Sequence, residues 1–186
     1  MMRCNWVTED PLYIEYHDHE WGQPVYDDRM LFEMLTLEGA QAGLSWITIL
    51  NKREQYRNAF DSFHIEKVAC YDENKVQALL LNKGIIRNEK KIRSTINNAR
   101  QMTKIQNEFE SFSNYLWNFV DGEPIINHWK MNIEVPTQTK LSMKISKDLK
   151  KRGFTFVGPT IIYSYMQAVG LVNDHILTCF CHPENL

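Results

Sequence analysis

Apolar residues recur along most of this chain at intervals of three and four, the period of an α-helix with one buried face. We therefore expect an all-α protein. Asp10 followed by Pro11 is typical of a helix start, and Asp27 or Asp28 is expected to cap the next helix. Ile125 and Ile126 lie in a stretch broken by Gly and Pro and are too few to assign as a strand. The predicted helices cover residues 11–20, 28–38, 45–57, 65–70, 73–81, 89–102, 111–120, 141–152 and 159–169.

The helices predicted at 73–81 and 89–102 flank a short hairpin, residues 82–88. Gly84 is expected in the left-handed conformation that closes the first helix, and Asn88 is expected to cap the second. Backbone N–H groups in such a hairpin and at the following helix start can bind an anion. An ordinary corner between two helices explains the same pattern without a ligand.

The distribution of charge favours the ligand-binding interpretation of the hairpin. Residues 83–104 carry seven basic side chains against one acidic one, and residues 140–152 carry six against one, although the net charge is only -2. A basic face on an otherwise acidic protein can attract a phosphate backbone, whereas solvated helix faces are the plainer alternative. The candidates for phosphate contacts in and after the hairpin are Lys83, Gly84, Arg87, Lys90 and Lys91.

Length and composition set broad limits on the fold and its location. A chain of 186 residues with 44% hydrophobic residues is expected to form one domain with a sizeable core. No apolar run has the length of a signal peptide or a membrane span, so we expect a cytoplasmic protein. Four cysteines are too few for a disulfide scaffold in a chain of this length, which leaves burial or metal binding.

The stretch 37–46 combines a carboxylate and an indole with small and apolar residues. Glu38 lies among leucines, so an inward-facing side chain here would be a buried acid that needs a partner. A glutamate on the helix surface is the simpler interpretation of this stretch alone. Gly43, which has no Cβ, fits a turn or a close approach of another molecule.

A metal site is suggested near the C-terminus. His175 and Cys179 are four residues apart, and on a helix their side chains would lie on one face about 6 Å apart, suitable for two ligands of tetrahedral zinc. Cys4 and His17 are the obvious further ligands, although spacing also allows His19, Cys181 or His182. Neither the zinc deaminase pattern nor H-E-x-x-H occurs, and four protein ligands leave no position for water, so a structural ion is expected.

Blocks of residues in a fixed order resemble the 3-methyladenine DNA glycosylase I family, within the helix-hairpin-helix DNA glycosylases. The resemblance covers essentially the whole chain, and several ordered blocks are more specific than any single short motif. The blocks include Arg3-Cys4, Trp6-Val7, Asp10 to Tyr13, Tyr16 to Asp18, Glu20 to Gly22, Leu37 to Ile47, Lys150 to Phe154, Phe156 to Gly158, Met166 to Ala168 and Gly170 to His175.

The resemblance implies a helix-hairpin-helix glycosylase fold with a structural zinc ion that joins the N- and C-terminal segments. It implies hydrolysis of the N-glycosidic bond of 3-methyladenine in alkylated double-stranded DNA, which leaves an abasic site and free 3-methyladenine. The zinc ligands it implies are Cys4, His17, His175 and Cys179. The base-contacting residues it implies are Glu38, Tyr16 and Trp46, with Trp6, Tyr13 and Trp21 lining the same aromatic region.

We also expect a monomer whose single glycosylase domain, residues 1–186, is arranged as two helical lobes with the base pocket between them. Glu38 is the candidate catalytic residue, and Gly43 and Leu44 are expected to press against the DNA where the base leaves the stack. Residues 89–120 lack the aspartate that helix-hairpin-helix glycosylases usually carry, and the hairpin lacks the usual Pro and second Gly. The alternatives are a glycosylase for another alkylated base, a non-catalytic zinc-stapled nucleic-acid-binding module and a zinc hydrolase of small nucleotides.

Overall fold

The computed structural model describes residues 2–186, and within them ten α-helices account for most of the architecture. Short 3-10 turns occur at Asp61–Phe63, Asn118–Val120, Asn132–Glu134 and Pro183–Asn185. The helices are α1 (Pro11–His19), α2 (Asp28–Gln41), α3 (Trp46–Leu50), α4 (Arg53–Ala59), α5 (Ile65–Ala69), α6 (Glu73–Leu81), α7 (Glu89–Phe109), α8 (Phe112–Trp117), α9 (Lys140–Lys151) and α10 (Pro159–Ala168). The expectation of a mostly helical protein is confirmed.

Helix α2 runs through the centre of the core. Every residue from 31 to 40 is buried, and the helix packs against α3, α7, α8 and α10. The Asp27 carboxylate accepts from the Met30 backbone N–H at 2.8 Å, which caps the helix start as predicted. Because α2 is surrounded on all sides, even its polar side chains at these positions lie in the interior.

The region predicted as one helix, 45–57, is two. Helix α3 ends at Leu50, where the helical hydrogen-bond pattern changes to a tighter turn in which the Lys52 N–H donates to the Ile49 carbonyl oxygen, three residues back, at 2.9 Å. Helix α4 then starts at Arg53. The break places Trp46 and Arg53 on separate elements.

The hairpin between α6 and α7 is present, but Gly84 does not have the left-handed conformation we predicted. A Cβ at Gly84 would lie 2.9 Å from the Cβ of Gln55, so glycine is needed here for close packing on α4. Asn88 caps α7 as predicted, since its side chain accepts from the Lys91 N–H at 3.1 Å. The hairpin N–H groups of Gly84 and Ile86 are already bonded, to the Asn82 side chain and the Tyr56 hydroxyl.

Two very short strands join distant parts of the chain. Strand β1 (Ile125–Ile126) pairs in parallel with β2 (Val172–Asn173), and the Asn127 N–H donates to the Asn173 carbonyl oxygen at 3.0 Å. Residues 174–179 form an irregular turn after β2 and not the helix for which the spacing of His175 and Cys179 was considered. Within residues 2–186, no helix is both long and apolar enough to cross a membrane.

Candidate active site and metal centre

A cavity of about 400 Å³ opens between the N-terminal aromatic residues, the end of α2, α3 and α10. One side is aromatic and carries Glu38, and the other side is polar. Asn132, Val135, Pro136 and Thr137 form part of the rim. The remaining lining residues are Trp6, Tyr13, Tyr16, Trp21, Glu38, Gln41, Trp46, Thr160, Tyr163, Ser164, Gln167 and Asp174.

Glu38 is a buried acid and not the surface glutamate that was the simpler interpretation of the stretch 37–46. Its exposed fraction is 4%, and its Oε2 atom has no hydrogen-bond partner among the described residues. Burial raises the pKa of this carboxyl to about 8, because an ionised carboxylate loses its hydration in an apolar site. Since native proteins rarely leave such a group unpaired, Oε2 marks a position for a ligand donor.

A second buried polar atom without a partner lies in the same cavity. The Nε1 atom of Trp46, at the start of α3, has no hydrogen-bond acceptor among residues 2–186. The Trp46 and Tyr16 rings lie 5.3 Å apart between centroids at an interplanar angle of 51°. Burial raises the pKa of Tyr16 well above its usual value, and the nearby Glu38 adds to this, so its hydroxyl stays protonated.

The remaining aromatic side chains of the pocket pack edge to face. The Trp6 ring centroid lies 5.5 Å from that of Tyr13 and 5.1 Å from that of Trp21. Trp6 also lies 5.3 Å from the His17 ring, and Trp21 lies 4.7 Å from the His175 ring. The aromatic wall of the pocket therefore rests directly on the predicted metal ligands.

Cys4, His17, His175 and Cys179 converge into one buried cluster, with their ligand atoms all within 4.8 Å of one another. The Cys179 Sγ atom lies 3.4 Å from both His17 Nε2 and His175 Nδ1, and Cys4 Sγ lies 3.6 Å from His175 Nδ1. In a tetrahedral site with bonds of about 2.3 Å to sulfur and about 2.0 Å to nitrogen, these atoms would be about 3.5 Å apart. The cluster therefore has the donor set and the spacing of a zinc site.

The outer nitrogen of each imidazole is held by a hydrogen-bond acceptor. His17 Nδ1 lies 2.7 Å from the Asp18 carboxylate, which also pairs with Arg3 at 2.7 Å. His175 Nε2 lies 3.0 Å from the Trp21 carbonyl oxygen. Such partners orient the rings of metal-binding histidines and fix their tautomer, so the inner nitrogens point at the site as acceptors.

The alternative ligands allowed by spacing lie elsewhere. His19 is exposed and lies 3.8 Å from Glu15. Both ring nitrogens of His182 are engaged, one with the Asn127 carbonyl oxygen and the other with the Glu184 N–H. Cys181 is buried beside His17 and Asp18, outside the four-residue cluster.

The predicted DNA contacts lie around the end of α2 and the hairpin. Gly43 has a φ of +80°, and among residues 2–186 no atom beyond its chain neighbours lies within 4 Å of the position that a Cβ would take. Leu44 is 41% exposed, and Lys83, Arg87 and Lys90 are exposed as well. Lys91 instead donates from Nζ to the carbonyl oxygens of Ala40 at 2.8 Å and Ala42 at 2.7 Å, which ties α7 to the turn after Glu38.

Sequence reasoning did not identify the polar side of the pocket. Asp174 accepts hydrogen bonds from four side chains that are 7 to 47 residues away from it in the sequence. No local sequence pattern therefore identifies Asp174 as a pocket residue. Gln41 is one turn beyond Glu38 and shares the pocket. Only its place in the helical period, three residues after Glu38, could have suggested it.

Comparison with known proteins gives the same family over almost the whole chain. The family model for methyladenine glycosylase matches residues 6–182. DNA-3-methyladenine glycosylase 1 of Escherichia coli (strain K12) is 52% identical over 185 residues, which cover 100% of this chain and 99% of that protein.

Solved structures agree with the family comparison. A crystal structure of a 3-methyladenine DNA glycosylase I has a TM-score of 0.95 and 55% identity, covering 98% of this chain and 100% of that one. A Staphylococcus aureus 3-methyladenine DNA glycosylase I, solved to explain its recognition of 3-methyladenine, has a TM-score of 0.94 and 40% identity, covering 97% and 96%. The chain therefore belongs to the methyladenine glycosylase family.

Proposed function

We propose that this protein removes 3-methyladenine from alkylated double-stranded DNA by hydrolysing its N-glycosidic bond, which leaves an abasic site and the free base. The observation that carries the proposal is the pair of unpartnered buried atoms, Glu38 Oε2 and Trp46 Nε1, in an aromatic cavity of about 400 Å³. A flipped purine offers both the flat faces and the polar edge that such a cavity accommodates. The relatives named for this activity support the same conclusion.

Recognition of the base divides between stacking and hydrogen bonding. A methyl group on a ring nitrogen makes the nucleotide base cationic, and a cation over an indole gains on the order of 1–2 kcal/mol when desolvated. Trp46 stacks on the base, Glu38 accepts from its exocyclic amine, and Tyr16 adds a hydrogen bond. An unalkylated adenine gains less from Glu38 and Trp46, which favours the damaged base.

The chemistry demands little acid catalysis from the protein. When the glycosidic bond breaks, its electron pair moves to the cationic base, which departs neutral. Water adds to the sugar carbon, and its proton passes to solvent. Flipping a base out of the duplex costs a few kcal/mol, and it costs least for a damaged base. Glu38 offsets part of this cost by holding the base in the extruded position.

The DNA lies across the end of α2 and the hairpin in this proposal. Gly43 and Leu44 contact the gap left by the flipped base, while Lys83, Gly84, Arg87 and Lys90 lie near the phosphate backbone. Lys91 already bonds two carbonyl oxygens, so it positions the turn and adds positive charge. The free N–H groups at the start of α7 contribute to the anion site.

We further propose a helix-hairpin-helix glycosylase fold that forms one domain over the chain, acts as a monomer and holds the pocket between two helical lobes. The α6–hairpin–α7 unit supports this fold. Cys4, His17, His175 and Cys179 would hold one zinc ion, which supplies structural cross-linking between the terminal segments. With four protein ligands, such an ion would have no open position for water.

Release of the base tests the enzymatic proposal. Duplex DNA alkylated with a methylating agent is incubated with the protein, and the free bases are separated by chromatography. We expect 3-methyladenine in the supernatant, and we expect Glu38→Gln to lower kcat/KM by roughly 10- to 100-fold, since the acceptor for the base amine is weakened. Unchanged release by Glu38→Gln would remove the assigned role, and release of a different alkylated base would change the substrate.

Chelation tests the proposed structural ion. Removing zinc or replacing Cys179 with serine should lower the unfolding midpoint and the far-UV helical signal together, because metal binding contributes directly to folding. Cys70→Ser, at an exposed cysteine, is the matched control and should behave like the wild type. Loss of turnover with the helical signal and midpoint retained would instead indicate a catalytic ion.

A further inference from the structure

The cavity that contains Glu38 is lined by a second buried carboxylate. Asp174 is 1% exposed and follows strand β2. Its Oδ1 atom accepts from Asn127 Nδ2 and Trp129 Nε1, both at 2.7 Å. Its Oδ2 atom accepts from the Tyr163 hydroxyl at 2.6 Å and from Gln167 Nε2 at 2.7 Å.

The surroundings of Asp174 leave its charge uncompensated. All four hydrogen-bond donors are neutral side chains, and none of the ion pairs formed within residues 2–186 includes Asp174. Four accepted hydrogen bonds use both lone-pair positions on each oxygen, so the carboxylate offers no further position for a hydrogen bond from a ligand. An effect of Asp174 on a ligand would therefore act through its charge.

The fold gives this charge a fixed location. The parallel pairing of β1 with β2 brings Asn127 and Trp129 to one side of the carboxylate, while Tyr163 and Gln167 come from α10 on the other side. Asp174, Tyr163 and Gln167 all line the cavity. Donors from two different segments thus prevent the carboxylate from moving when a ligand enters.

We propose that Asp174 is a specificity-determining residue, a fixed anion in the pocket wall that favours cationic alkylated nucleosides over neutral nucleosides of the same shape. This inference rests on the proposed glycosylase function. The property that Asp174 selects is the positive charge of the damaged base. Because two unit charges in a partly buried site interact by more than the free energy of a tenfold change in affinity, we expect this anion to change the affinity for a cation by about tenfold or more.

The test compares a cation with its neutral isostere on the zinc-loaded full chain. The cation is 3,9-dimethyladenine, and the isostere is 3,9-dimethyl-3-deazaadenine, in which a carbon replaces the methylated nitrogen. Quenching of the pocket tryptophan fluorescence at alkaline pH gives both dissociation constants. In Asp174→Asn we expect the preference for the cation to fall about tenfold, with the unfolding midpoint and zinc content measured alongside.

Two matched variants at Gln167 test the same inference even if Asp174→Asn does not fold. Gln167→Lys places a compensating cation beside the Asp174 carboxylate and should lower the cation preference about tenfold. Gln167→Met removes the same hydrogen bond without adding charge and should leave that preference unchanged. Equal losses for both ligands, or an unchanged preference in Gln167→Lys, would overturn the role of Asp174.

The two proposals fail in different ways in these experiments. If the wild type releases no 3-methyladenine from alkylated DNA, the glycosylase assignment fails. The ligand preference of the Asp174 and Gln167 variants would still show whether the charge of Asp174 favours cationic ligands. If the wild type releases the base and prefers the cation but the variants keep that preference, the role of Asp174 fails alone.

Discussion

Glu33 and Glu38 lie on the same helix, about one and a half turns apart, and they are equally buried. Glu33 is 6% exposed and its Oε1 atom lies 2.6 Å from Arg53 Nε and 2.9 Å from Arg57 Nη2. Glu38 is 4% exposed, and one of its oxygens has no partner among the described residues. The difference teaches that burial alone does not identify a functional acid, whereas burial without a partner points to a missing ligand.

The largest expected effect is on the free energy of unfolding, which should change in opposite directions when Glu33 and Glu38 are each replaced by glutamine. Glu33→Gln leaves Arg53 paired only with the partly exposed Glu20, and Arg57 paired only with the exposed Glu54. It should therefore lower the free energy of unfolding by roughly 1–3 kcal/mol, the range for a lost hydrogen bond to a charged group. Glu38→Gln should raise it at pH 8 by on the order of several kcal/mol and change it little at pH 4, since the Glu38 pKa is about 8 folded against an ordinary 4.5. Urea unfolding at both pH values measures the two changes.

The sign of the second change follows from proton binding. Between pH 4.5 and about 8 the folded protein holds the Glu38 proton that the unfolded chain has lost, so the contribution of Glu38 to stability falls as the pH rises. Glu54→Gln, at an exposed acid that also pairs with Arg57, is the matched control and should change little. Destabilisation by Glu38→Gln at pH 8 would mean that Glu38 is paired after all.

The pH dependence of base excision tests whether Glu38, unlike the paired Glu33, is a functional acid. If the ionised carboxylate of Glu38 receives the base amine, kcat/KM should rise about tenfold per pH unit up to about pH 8 and then level off, because kcat/KM reports the free enzyme. Glu38→Gln should remove this rise. The opposite profile, with activity falling as the pH increases, would assign the working form to the protonated acid.

The smallest expected effect concerns the other unpartnered atom. Trp46→Phe keeps an aromatic face but removes the Nε1 donor, so kcat/KM should fall by roughly two- to tenfold, the range for one net hydrogen bond. Trp46→Leu, which also removes the aromatic face, should lose more. Equal losses in the two variants would show that the Trp46 N–H contributes nothing to binding.

The sequence was sufficient to predict most of the helices, because the period of the apolar residues reports which face of a helix is buried. The stretch around Glu38 alone favoured a surface glutamate, and the structure shows instead that Glu38 is buried. The sequence could not indicate that Oε2 has no partner, since that depends on side chains from the N-terminal segment and α10. The break between α3 and α4 was missed because residues 45–57 contain no Gly or Pro that would mark the end of a helix.

The four side chains of the Cys/His cluster come together as expected, although the conformation of the segment that carries two of them was not predicted. His175 and Cys179 lie on an irregular turn, where the Cys179 N–H donates to the Ile176 carbonyl oxygen at 2.7 Å. Gly84 was assigned to a left-handed position, whereas tertiary packing against Gln55 requires it. Asp174 was missed because its partners are assembled by the pairing of two strands too short to predict.

A crystal structure of the protein with 3-methyladenine tests the central claim most directly. We predict that the base lies in the cavity against Trp46 and Tyr16, with its exocyclic amine donating to Glu38 Oε2. A base bound elsewhere, or one bound in the cavity that leaves Glu38 Oε2 unpaired, would contradict the assignment of Glu38 as the acid that recognises the base.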